Sequence, residues 1–290
     1  MKRFLYLSLF VVSVAVLSAH AQTWGCGDRD FKCQLDGRMK ALENDPKNPE
    51  NYYNVGIVLQ RSGVHKNAVE AFSMYVMIPG LKPDLAADGY NNRGISQRAL
   101  KRPDLAYADY SKAVELNPTK PEFLVNRGNA SVDLKKIDDA MADYARAIKL
   151  DPKYARSYAQ RAILHSSQGR VDDGLRDYAR SIELEPAYPE PYYNRGTIYS
   201  GRKEFAKAIP DYEKYVSLVK DPIYLADGFM NLGIAQFYAG DPAKSVESFT
   251  KVIDLRPRFR NGYLARAMVY REMKKPNLAE ADERRAAELK

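Results

Sequence analysis

One spacing constrains this chain more than any other property: a small residue returns every 34 positions, or slightly more, through most of its length. The residues are Gly56, Gly94, Gly128, Ala162, Gly196, Gly233 and Ala267, separated by 38, 34, 34, 34, 37 and 34 positions. Twelve residues after each stands a second small residue: Ala68, Ala106, Ala140, Gly174, Ala208, Ser245 and Ala279. Four further on comes an aromatic ring, at Phe72, Tyr110, Tyr144, Tyr178, Tyr212 and Phe249, and only Glu283 breaks the series. Pro118, Pro152, Pro186 and Pro257 close several of the units. A period of this length excludes one or two ordinary globular domains and marks a stacked repeat.

The spacings within a unit are helical. Tyr52, Tyr90, Leu124, Tyr158, Tyr192, Phe229 and Tyr263 each precede the first small residue by four, one turn away on the same face. A helix A of about 13 residues, a polar turn such as Ser62-Gly63 or Lys135-Lys136, and a helix B account for each unit. Small residues on both helices let their axes approach, and the ring fills the space beside them. Neither helix buries its apolar stripe alone, so hairpins must stack. Tyr90-Asn91-Asn92-Arg93-Gly94, Ala140 to Ala147 (AMADYARA) and Leu150-Asp151-Pro152 resemble the motif of the tetratricopeptide repeat family, over residues 49–290. The resemblance implies an all-α, right-handed superhelical solenoid of about seven helical hairpins, with helix A lining the concave side. The departures are four extra residues after unit one, at Pro79-Gly80, three after unit five, and the missing ring at Glu283.

Ahead of the repeats, Lys2 and Arg3 precede an apolar run from Phe4 to Leu17, and Ala19-His20-Ala21 follows. This is the layout of a secretory signal over residues 1–21, too short to span a membrane. No membrane span is expected after its cleavage. The formal charge falls from +8 to +6 with it, and the protein is expected to be periplasmic or secreted. Residues 22–48 read as an N-terminal segment. Its two cysteines, Cys26 and Cys33, the only ones in the chain, are expected to close a short disulfide loop in that oxidising compartment. In the same segment Phe31, Leu35, Met39 and Leu42 share one face of a capping helix.

Five units carry Arg just before the first small residue, at Arg93, Arg127, Arg161, Arg195 and Arg266. The same five carry Asp sixteen residues later, at Asp109, Asp143, Asp177, Asp211 and Asp282; the remaining two units lack both. Acid and base present or absent together point to structural ion pairs rather than to a phosphate site. Nucleic acid is not expected as a partner. The helix A positions of the concave face carry Glu50, Asp88, Glu122, Asp133, Glu190, Asp227 and Glu272 against only Arg61, Arg98, Arg156 and Arg271. Single-stranded binding needs the reverse.

One polar row runs along that face two residues before the small anchor: Asn54, Asn92, Asn126, Gln160, Asn194 and Asn231. A side-chain amide offers both a donor and an acceptor, so it can pair with an extended backbone or with neighbouring helices. The row resembles the asparagine ladder of the N-acetylglucosamine transferase superhelix and other peptide-binding arrays. The family's chaperone-tail clamp is not matched, because Val125 and Glu190 stand where its lysines are needed. His65 and His165 sit at a turn and a packing position. No catalytic motif, metal site or cofactor site is recognisable. Asn129-Ala130-Ser131 fits a glycosylation acceptor but falls mid-helix. The expectation is an exported, non-catalytic scaffold that holds a segment of another polypeptide. The alternative is an envelope glycan or polyanion binder using a basic convex surface.

Overall fold

A computed structural model describes residues 29–289, and every regular element among them is an α-helix. Residues 1–21 and Cys26 lie outside the described residues, and Cys33 is exposed. The chain divides into two compact units, meeting at Pro152 and Lys153. The first contains α1 (Arg29–Asn44) and three hairpins: α2 (Pro49–Arg61) with α3 (His65–Val76), α4 (Pro83–Ala99) with α5 (Pro103–Leu116), and α6 (Pro121–Asp133) with α7 (Ile137–Leu150). The second contains four: α8 (Ala155–Ser167) with α9 (Val171–Leu184), α10 (Pro189–Gly201) with α11 (Phe205–Leu218), α12 (Pro222–Tyr238) with α13 (Pro242–Leu255), and α14 (Arg260–Glu272) with α15 (Pro276–Glu288). Within each unit every hairpin packs on the next, which makes each a length of all-α solenoid.

The recurrent small residues are where the two helices of a hairpin touch. A Cβ built on Gly94 would lie 2.7 Å from the Tyr110 ring, and one on Gly128 2.6 Å from that of Tyr144. Those rings are the largest fully buried side chains of their hairpins, at 1% exposure each. Full burial of such a ring stabilises by roughly 1.5–3 kcal/mol, provided nothing displaces it. Where Ala162 replaces the glycine, the close approach moves to helix B: a Cβ on Gly174 would meet Ser166 Oγ at 2.3 Å. The four and three additional residues after units one and five add a turn to the next A helix, so α4 and α12 have 17 residues where the other A helices have 13.

Every A-to-B turn holds one residue in the left-handed region, seven positions after the anchor. Gly63, Gly169 and Gly240 do so at φ 76–87°, and Lys101, Lys135, Lys203 and Lys274 at φ 57–61°. The lysines accept a strain of roughly 1–2 kcal/mol that glycine avoids. Between hairpins, bulk is exchanged across the joint. Tyr75 of α3 faces Gly89 of α4, with 2.5 Å from ring to a built Cβ, and Tyr215 of α11 faces Gly228 of α12 at 2.7 Å. At the α5–α6 joint the same two positions carry Ala113 and Phe123, both buried, so the ring comes from the other side. Ahead of the first hairpin, Leu35, Met39 and Leu42 of α1 are buried in one cluster with Tyr52, Val55 and Leu59 of α2.

Candidate functional site: the exposed face of the A helices

Residues 2, 6, 9, 12 and 13 of the 13-residue A helices form a face that helix B does not cover. On α6 these are Glu122, Asn126, Asn129, Val132 and Asp133, of which Glu122, Val132 and Asp133 are exposed. Large apolar side chains also reach solvent here, with Val132 at 36%, Ile163 at 43% and Met268 at 44% exposure. Five of the charges on the face are paired, three of them with residues just outside it. Arg98 reaches Asp133 on the next A helix at 2.6 Å, Arg256 reaches Asp227 at 3.0 Å, and Lys120 pairs with Asp88. Arg271 is paired with Glu283, which thereby gains a role in the unit where the ring is missing.

All six amides, Asn54, Asn92, Asn126, Gln160, Asn194 and Asn231, are half-buried. Five of them, all but Asn54, tie neighbouring elements together. Asn92 Nδ2 donates to Tyr53 Oη of the preceding A helix at 2.9 Å and to Asp88 O at 3.0 Å. Asn231 Nδ2 donates to Tyr193 Oη at 2.9 Å, the same joint one unit later. Asn126 Nδ2 donates to Asn91 Oδ1 at 2.8 Å. Gln160 is hydrogen-bonded to the Tyr188 hydroxyl, and Asn194 to that of Tyr178. With both hydrogens of Asn92 engaged, its Oδ1 is the atom it can offer a partner, and that atom accepts an N–H.

The motif pattern alone does not show these tyrosines. Tyr53 and Tyr75 pack at a tilt of 50° with 5.1 Å between centroids, and Tyr193 and Tyr215 at 48° and 4.8 Å. Burial pushes the phenols of Tyr75 and Tyr215 up to about 12, helped in each case by the neighbouring tyrosine and by Asp88 or by Glu190 and Asp227. They therefore stay neutral donors. The signal that finds them is a second, longer correspondence: Tyr53, Tyr75, Gly89 and Asn92 recur 139 or 140 positions later as Tyr193, Tyr215, Gly228 and Asn231.

The five arginines of the repeat lie elsewhere. Arg93, Arg127, Arg161, Arg195 and Arg266 each donate through Nε and a terminal nitrogen to Asp109, Asp143, Asp177, Asp211 and Asp282 of the same hairpin, at 2.6–3.1 Å. Arg93 also reaches Ser73 Oγ of the hairpin before, and Arg266 reaches Thr250 Oγ1. The aspartate side chains are only 6–10% exposed. Burial raises the Asp109 carboxyl, and the Arg93 bonds pull it back. His165 Nε2 lies 3.8 Å from Asp177 Oδ2, while burial and Arg170 lower its pKa. Asn129 Oδ1 accepts the Tyr144 hydroxyl at 2.7 Å.

Comparison with known proteins agrees with this arrangement. Tetratricopeptide repeat family models match residues 87–120 and 160–222, and a TPR repeat model matches 128–169. The chain is a tetratricopeptide repeat protein. A UDP-N-acetylglucosamine–peptide N-acetylglucosaminyltransferase of Giardia intestinalis is 33% identical over 84 residues, 29% of this chain and 5% of that relative. Among solved structures, yeast Tom70 superimposes with a TM-score of 0.62 at 18% identity, over 90% of this chain and 55% of its own. The Cut9-Hcn1 hetero-tetramer of APC/C gives 0.60 at 19% identity, over 89% and 50%. A tetratricopeptide repeat protein from Parabacteroides merdae gives 0.54 at 16%, over 83% and 93%. The chain thus spans about half the length of the first two and a twentieth of the transferase. Such a fold supports protein–protein interaction. Among the described residues no helix is long and apolar enough to cross a membrane.

Proposed function

We propose that this tetratricopeptide repeat protein is an exported, non-catalytic scaffold that holds a segment of another polypeptide against its A-helix faces. The observation that carries the reading is the amide row. Six half-buried amides stand at one position of six A helices, two of which also expose Val132 and Ile163. Amides fixed by tyrosines are preorganised acceptors for backbone N–H groups, and the apolar side chains between them bury against a partner's side chains. Export rests on residues 1–21, and N-terminal sequencing of the protein recovered outside the cytoplasm tests it: Gln22 as first residue supports cleavage. For the groove, cross-linking capture is compared between wild type and an Asn92/Asn126/Asn194→Ala variant whose fold is checked by circular dichroism. Loss of capture by the folded variant is expected, and undiminished capture removes the amides from the mechanism. No observation favours the glycan or polyanion reading.

A further inference from the structure

We propose that the acidic row of the first unit, Glu50, Asp88 and Glu122 with Tyr53 and Asn92 beside it, receives a lysine or arginine side chain of the bound segment. This rests on the reading of the A-helix face as a polypeptide site and names the side chain that part of it selects. The three acids stand six residues before the small anchors of α2, α4 and α6, one on each A helix of the unit.

The groups offered here are acceptors. Glu50 and Glu122 are exposed and form no ion pair among the described residues, while Asp88 is half-buried and holds Lys120. Asn92 spends both Nδ2 hydrogens internally, on Tyr53 Oη at 2.9 Å and on Asp88 O at 3.0 Å, and keeps only Oδ1 for a partner. A carboxylate accepts and never donates, so a site of two free carboxylates and an amide oxygen calls for a donor-rich occupant. An ammonium has three N–H donors and a guanidinium five. The half-buried ring of Tyr53 adds an aromatic wall for such a cation and its aliphatic stem.

The field at the site has one sign. Burial raises the Tyr53 phenol, Asp88 and Glu122 raise it further, and the Asn92 bond lowers it. Burial and Tyr53 raise the Tyr75 phenol, and Asp88 and Glu50 add to the rise. Among the described residues no cation counters the carboxylates at either ring. The second unit repeats the set as Glu190, Tyr193, Tyr215, Asp227 and Asn231, but it carries its own cation. Six residues before the anchor of α8 stands Arg156, which lies over Tyr188 at 5.6 Å from the ring centroid. Burial raises the Tyr188 phenol, and there Glu190 and Arg156 act in opposite directions. In the first unit all three of these positions are acidic, so the balancing charge comes from a partner. Among the described residues no three His, Cys, Asp or Glu side chains are grouped to hold a metal ion. Acids spread over three helices fit a long cationic side chain.

The test selects random dodecapeptides, displayed between fixed linkers so that no chain end is free, against the full chain. Synthetic copies of the selected peptides, with both ends blocked, are then titrated with the basic residue kept or changed to glutamine. Glu50→Gln/Glu122→Gln is the diagnostic variant, since both residues are exposed and the fold tolerates the change. The control is Asp104→Asn/Asp138→Asn, which removes the same charge from the second residues of the B helices α5 and α7, also exposed. The expected result is a shared basic position and at least about five-fold weaker binding when it becomes glutamine. A similar loss is expected in Glu50→Gln/Glu122→Gln for the basic peptide only, with the control unchanged. Selected peptides without a shared basic residue overturn the inference and leave the groove reading standing. So does undiminished affinity in the diagnostic variant, or an equal loss in the control, which marks general attraction to an acidic surface. Failure to select any peptide overturns both.

Discussion

The pair of Arg127 and Asp143 isolates the physical role of the repeat's charges. Asp143 keeps 7% of its side chain exposed and accepts Arg127 Nε at 2.8 Å and a terminal nitrogen at 2.6 Å. Replacing Arg127 by Met leaves the carboxylate buried without its counter-charge, which typically costs 3–5 kcal/mol. Arg127 itself is 21% exposed, so water relieves part of the loss, and a cost of about 3 kcal/mol is expected. Adding Asp143→Leu removes the orphaned charge and fills its volume, so the double variant should return to within about 1 kcal/mol of wild type. Stacked hairpins open locally. The assay is therefore equilibrium urea unfolding together with hydrogen exchange over residues 121–150, where opening should increase first. Wild-type stability in Arg127→Met, or equal instability in the single and double variants, refutes the reasoning.

Other consequences follow from the same geometry. Lys135→Gly should stabilise by about 1 kcal/mol in urea unfolding, because it relieves a residue held at φ 61°. Gly128→Ala should destabilise by about 1–3 kcal/mol, since its Cβ falls 2.6 Å from the buried Tyr144 ring, and a thermal melt shows the change. His165 titrates below its ordinary 6.5 in the folded chain. The folded state then binds fewer protons than the unfolded one, and this contribution to stability is complete above pH 6.5 and lost as pH falls below it. Urea midpoints measured across that range should fall on the acid side, and His165→Gln should flatten the fall.

Much of this arrangement is written in single positions that repeat. The 34-residue spacing dictates paired helices because the glycine anchor and the ring sixteen residues later can meet only across a hairpin. The Arg and Asp of five units share that separation, and they meet. Other features escape such a reading because they depend on which residue fills a shared position. Lysine at the left-handed turn gives no signal, as four of seven turns use it against the intrinsic preference for glycine. The exchange of bulk between Tyr75 and Gly89 looks like scatter until it returns at Tyr215 and Gly228. The amides were legible as a row, but their engagement by Tyr53 and Tyr193 was not, since those partners lie 38 and 39 residues away on another helix.

The measurement that bears most directly on the account is where a bound polypeptide touches the repeats. A photoreactive side chain is placed in turn at Val132 and Ile163 on A helices, and at Lys149 and Arg180 on B helices, all four being exposed positions. After irradiation with bound polypeptide, adducts are mapped by mass spectrometry. The account predicts adducts from Val132 and Ile163 and none from Lys149 or Arg180. Adducts confined to Lys149 and Arg180 would contradict it.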